Sequence, residues 1–123
     1  MKPEIEYSDF EKLDLRVATI TEAKAHPNAD KLVVLQIKIG EETRQIVAGI
    51  KKTYSPEELI NKQIIIIVNL KPVTLRGEES NGMLLATDGP ILLVPDKEVD
   101  SGAPISWVCQ DRFQKGYLPP EHF

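Results

Sequence analysis

Residues 63–87 read QIIIIVNLKPVTLRGEESNGMLLAT. The stretch opens on the most apolar run of the chain, Ile64-Ile65-Ile66-Ile67-Val68. An unbroken β-branched run suits a pleated strand, and it falls far short of the roughly 20 residues that cross a bilayer as a helix. With no polar alternation it is expected to be a strand buried on both faces. Asn69, Lys71, Arg76 and Ser80 follow, then Gly82 and Met83, then a second apolar run, Leu84-Leu85-Ala86. Two strands joined by a polar, partly basic loop are a frequent place for a β-barrel to carry binding residues.

Working outward, Leu15, Val17 and Thr19 alternate with Arg16, Ala18 and Ile20, which predicts a first strand. Residues 25–30, AHPNAD, make a loop: Pro27 fixes its φ, and Asn28 and Asp30 favour turns. A second strand is expected over residues 31–39, with Val33, Leu35, Ile37 and Ile39 on one face. After the turn at Gly40, a third is expected over residues 43–48, with Arg44, Ile46 and Ala48 on one face. Ser55-Pro56-Glu57-Glu58 is the clearest helix start. Ser55 caps, Pro56 stands where a missing N–H costs nothing, and the two glutamates favour the positive end of the dipole. The fourth strand is expected over residues 63–70, a fifth from Met83, and a further strand over residues 91–94. Near the N-terminus, Ser8 and Glu11 are expected to form a capping box for one helical turn, after an extended arm. Strands with a single short helix between the third and fourth match an all-β OB-fold, a five-stranded Greek-key barrel, here with terminal arms. The expected division is a barrel domain over residues 1–110 and a tail over residues 111–123 that supplies a dimer contact.

The net charge of −4 argues against a generic polyanion binder, so any nucleic-acid site must be a local patch. The acidic N-terminus lacks the apolar core of a secretory signal, and no segment is apolar enough for a membrane. Cys109 is the single cysteine, compatible with a reducing cytoplasm. Of seven aromatic residues, only Tyr54 lies between the first and last strands; Tyr7, Phe10, Trp107, Phe113, Tyr117 and Phe123 sit on the arms. A platform of stacked bases, worth about 1–3 kcal/mol each, is therefore not expected. Recognition of nucleic acid would go through charge and hydrogen bonds to a structured backbone. Aromatic arms need a surface, either a second copy in a homodimer or the barrel itself.

A set of words in this sequence resembles a known family. They are Asp9-Phe10 with Leu13-Asp14-Leu15-Arg16-Val17, then residues 26–32 (HPNADKL) and 44–50 (RQIVAGI). Tyr54 with Pro56-Glu57-Glu58-Leu59 follows, then residues 69–72 (NLKP), and Ser80 with residues 82–85 (GMLL). In that order they are similar to the tRNA-binding domain at the C-terminus of many methionyl-tRNA synthetases. The same domain occurs as free-standing, dimeric, structure-specific tRNA-binding proteins and in the endothelial monocyte-activating polypeptide type. CsaA-like export chaperones form a more distant branch. The resemblance implies an OB-fold that dimerises, binds the outer elbow of tRNA, uses no cofactor and performs no catalysis. The partners it implies are tRNA and a methionyl-tRNA synthetase. The alternative is a dimeric protein-interaction or CsaA-like chaperone module, which the net acidity favours.

The RNA-binding candidates are Lys31, Arg44, Asn69, Lys71, Ser80 and Met83. Lys31, at a strand mouth, would meet phosphate as a point charge or else be a solvated strand-end lysine. The Ser80 hydroxyl would bond a phosphate or 2′-OH, and Met83 would pack on a ribose or base; the plain alternatives are a turn serine and a core methionine. Asn69 and Lys71 would face one side of the fourth strand's end, or serve as ordinary loop entry. Arg44 is either a phosphate ligand or paired with a carboxylate such as Asp14. Arg76 is a plausible contact weakened by Glu78 and Glu79, and Arg16 is expected in an ion pair within the fold. His26 with Asp30, or Cys109, would be the starting points for an enzyme, but no third group orients them and no metal-ligand spacing is present.

Overall fold

The computed structural model describes residues 1–107. Cys109, Phe113, Tyr117, His122, Phe123 and the tail expected to make a dimer contact lie outside the described residues. The elements in chain order are α1 (Tyr7–Glu11), β1 (Leu15–Ala25), β2 (Val33–Ile39), β3 (Glu42–Ala48), α2 (Pro56–Leu59), β4 (Gln63–Ile67), β5 (Val73–Leu75), β6 (Glu78–Ser80), β7 (Met83–Leu84) and β8 (Pro104–Ile105).

The main sheet is antiparallel in the order β3-β2-β1-β4-β7, the all-β OB-type barrel that the strand pattern predicts. β1 is its spine. Leu15–Thr19 pair with β4, and Thr19–Ala25 pair with β2. The register slips between Ile20 and Glu22, a bulge at Thr21 that bends the strand so that its two halves serve different neighbours. The sheet curls until β3 meets the chain leading into β7, where the Asn81 N–H donates to the Gln45 carbonyl at 2.8 Å. β8 lies beside Leu15 and Arg16, and the turn before it packs tightly: a side chain at Gly102 (φ +95°) would stand 2.8 Å from the Gly40 backbone nitrogen.

Ile20, Leu35, Ile37, Ile46, Ile50, Ile64 and Ile66 fill the interior, and α2 adds Leu59. The Ser55 capping box forms as its spelling implies, with the Glu58 carboxylate accepting from the Ser55 N–H at 3.2 Å and hydroxyl at 2.9 Å.

Four expectations need correction. β4 is not buried on both faces: Ile64 and Ile66 are inaccessible, while Ile65 and Ile67 are half-buried, because a curled single sheet has only one inside. β4 ends at Ile67, and residues 73–80 form a separate hairpin rather than a plain loop. Residues 91–94 make no strand, only a bridge between Ala86 and Leu92. At α1 the capping box falls two residues early, on Glu6 and Asp9, since the Asp9 carboxylate takes the Glu6 N–H at 3.1 Å.

Candidate nucleic-acid interface

Two loops and the hairpin meet at one end of the barrel. The first loop, residues 26–32, is closed by its own backbone. The His26 N–H donates to the Leu32 carbonyl at 3.0 Å and the Leu32 N–H to the Ala29 carbonyl at 3.4 Å. The loop leaves Lys31 exposed. The Lys31 carbonyl in turn accepts from the Lys51 N–H at 3.3 Å, which lays the segment following β3 alongside. Lys51 and Lys52 are both exposed there.

The hairpin β5–β6 turns through Arg76 and Gly77 with φ of +52° and +93°. Two left-handed residues in a two-residue connection match the twist of a tight hairpin, and only the second is a glycine. Arg76 holds a conformation that costs a non-glycine residue about 1–2 kcal/mol. The turn puts Arg76 opposite Lys31: with Ala29, Asp30 and Leu32 they line a groove of about 380 Å³.

No ion pair among the described residues engages Lys31, Lys51, Lys52, Lys71 or Arg76; the pairs there are Lys12–Asp9, Arg16–Asp14 and Arg44–Glu42. Glu78 and Glu79, expected to weaken Arg76, form no ion pair with it among the described residues. Glu78 is half-buried and accepts from the Gln45 side-chain amide at 3.2 Å, which also donates to the Glu79 carbonyl at 3.0 Å. Asp30 is the acid that shares the groove.

The other candidates stand at the hairpin's base. Ser80 is 3% exposed. Its hydroxyl accepts from the Val47 N–H at 3.0 Å and donates to the Gly82 carbonyl at 3.0 Å, completing the seam between β3 and β6. Arg44 donates to the Val68 carbonyl at 2.7 Å, and its carboxylate partner is Glu42 rather than Asp14. Asp14 instead holds Arg16 at 2.7 Å, the internal ion pair expected of Arg16. The Asn69 side chain accepts from the Asp14 N–H at 2.9 Å and donates to the Lys12 carbonyl at 2.7 Å, tying the chain after β4 to the end of α1. Lys71 is exposed and Met83 is 54% exposed, so neither is a core residue. Lys71 and Arg76 are five residues apart, at most about 17 Å of extended chain.

The structure thus joins Lys31 to Arg76 and adds Lys51 and Lys52, two lysines that the motif spellings stop just short of. Their signal in the sequence was a lysine doublet between a strand and a helix start. No group of metal-ligating side chains occurs among the described residues.

The family model described as "Putative tRNA binding domain" matches residues 15–104. The methionine–tRNA ligase of Pyrococcus horikoshii is 56% identical over 104 residues, which cover 82% of this chain and 14% of that protein. That of Caldanaerobacter subterraneus is 54% identical over 105 residues, covering 83% and 16%. The chain therefore spans about one seventh of the length of the curated relatives it matches. Among solved structures, the chaperone CsaA of Bacillus anthracis superimposes with a TM-score of 0.78 at 36% identity, covering 85% of this chain and all of that one. A MetRS-related protein of Pyrococcus horikoshii gives 0.77 at 33% identity, again covering 85% of this chain and all of that one. The match extends from the first residue of β1 to the first residue of β8, so the whole sheet that carries the two loops and the hairpin is shared, and the chain belongs to the tRNA-binding domain family.

Proposed function

We propose that this chain is a non-catalytic module that binds folded tRNA through its backbone, and that residues 26–32, 49–52 and the tip of the β5–β6 hairpin form the contact. One observation carries the reading. Within a chain of net charge −4, Lys31, Lys51, Lys52 and Arg76 come to one barrel end exposed and without carboxylate partners among the described residues. Lysines meet phosphates as point charges, and the arginine fork can engage a phosphate through two hydrogen bonds. The few aromatics within the barrel fit a shape-reader better than a base-stacker. Lys71 and Met83, both exposed, extend the contact along the hairpin toward its base.

In this reading two copies associate through the terminal arms, so that two modest sites act together on one tRNA. The module works in the cytoplasm, beside or joined to a methionyl-tRNA synthetase.

A salt series against total tRNA, duplex DNA and an unfolded polypeptide tests it. Four released counterions predict a loss of tRNA affinity of about a hundredfold between about 50 and 200 mM salt. Sedimentation of the free protein reads the number of copies. Binding of the polypeptide that persists as salt rises, with no tRNA bound at 50 mM, would replace the RNA reading by a protein-interaction one. The observation favouring that second reading is the apolar surface exposed at Leu70, Val73, Met83 and Ile91.

A further inference from the structure

His26 opens the first contact loop but is only 4% exposed, so its ring does not reach solvent as Lys31 does, and both its ring nitrogens are engaged within the protein. Nδ1 lies 2.9 Å from the Asn28 backbone nitrogen, and Nε2 lies 2.9 Å from the Leu75 carbonyl oxygen. A backbone N–H only donates and a carbonyl only accepts, so these partners require the neutral ring with its proton on Nε2. The first bond is local to the loop. The second reaches 49 residues along the chain to the residue immediately before Arg76.

We infer that His26 is a positioning residue for RNA: by holding the Leu75 carbonyl it fixes where Arg76 stands relative to Lys31. The inference rests on the tRNA reading above. Its physical ground is that a two-stranded hairpin is marginal alone. β6, the strand after the turn, is fastened to β3 by the Gln45 side chain at Glu78 and Glu79, by Ser80 and by the Asn81 backbone, but none of those bonds holds β5, the strand that leads into Arg76. Near the tip, the His26 ring is the buried polar group that ties the hairpin to another loop. The loop that carries Lys31 closes through two backbone bonds that do not need the ring, so loss of the ring frees Arg76 more than Lys31. Arg76 also sits in a left-handed conformation that is less favourable for an arginine, and an untethered tip would leave it.

The test is a set of tRNA affinities for His26→Phe, which keeps the buried volume and loses both ring bonds, made in three backgrounds. In the natural sequence it weakens binding about tenfold, the size of one charge-assisted contact. With Arg76→Ala already present, the same change costs about twofold or less. With Lys71→Ala present, the full tenfold remains. His26→Gln, whose amide nitrogen reaches the Leu75 carbonyl, recovers most of the loss. An equal loss in all three backgrounds overturns the inference, because the ring would then support the whole fold and not the tip. If His26→Phe does not fold, ring nitrogen shifts of the unaltered protein decide: the proton on Nε2, unmoved on adding tRNA, is expected, and a proton on Nδ1 overturns it. Absence of tRNA binding by the unaltered protein would be a failure of the RNA reading, visible before any variant is made.

Discussion

The two ends of the β5–β6 hairpin are built from similar residue types and put to different use. At the base, Ser80, Arg44 and Asn81 hold one another's strands: the Ser80 hydroxyl, the Arg44 guanidinium and the Asn81 N–H each reach a backbone carbonyl. At the tip, Arg76, Lys31, Lys51 and Lys52 face solvent, while a buried histidine holds the strand that leads into the turn. The difference follows from where the barrel must close. The seam between β3 and β6 excludes water, so each polar group in it needs a protein partner. The tip lies outside the seam, where a cation stays hydrated and available to a phosphate. Polar residues near a binding loop therefore divide into those that make the loop and those it presents.

Changes at each end should separate stability from binding. The largest effect is expected from Arg44→Met, which leaves the Val68 carbonyl without its donor; denaturant unfolding should show a loss of about 2–3 kcal/mol. A normal midpoint with weakened tRNA binding would instead move Arg44 to the presenting group. Next, the combined change Lys31→Ala, Lys51→Ala, Arg76→Ala should weaken tRNA binding about thirtyfold, or about 2 kcal/mol, and flatten the salt slope by about three, with thermal unfolding unmoved. Ser80→Ala should cost about 1–2 kcal/mol of stability by stranding the Val47 N–H and the Gly82 carbonyl, while affinity per folded molecule stays constant. Lost affinity at full stability would mean that the hydroxyl reaches RNA.

The smallest effect concerns acid. The Ser55 backbone N–H, then its hydroxyl, hold the Glu58 carboxyl below its ordinary value. A depressed carboxyl stabilises the fold above its unfolded-state value and loses that contribution as pH falls through its folded-state value. Glu58→Gln should accordingly be slightly less stable than the natural sequence near neutrality, with the difference vanishing as pH falls below about pH 5, which a thermal-unfolding series reads as a shallower acid limb. An unchanged limb would show that the exposed box adds nothing measurable.

Much of the barrel was readable along the chain. Alternation located β1 to β3, and Ser55-Pro56-Glu57-Glu58 located α2, because strand period and helix capping are set within a few residues. The hairpin was hidden: Val73 and Thr74 look like loop residues between two apolar runs, and Arg76-Gly77 is a weaker turn signal than an asparagine–glycine pair. In the candidate site, Lys31 stands out in the sequence as a candidate by its place at a strand mouth, and the fold leaves it exposed. Ser80 and Arg44 looked as available as Lys31 because nothing nearby in sequence announces their partners.

The chain's own pattern determined the order of strands, the place of the helix and which loops carry cations, since each depends on neighbours a few positions away. Tertiary structure alone decided which polar side chains remain free. The Arg44–Val68, Ser80–Val47, His26–Leu75 and Asn69–Asp14 bonds join residues 24, 33, 49 and 55 positions apart. Whether a donor is satisfied or exposed is settled only when the sheet curls and brings such distant backbone into reach.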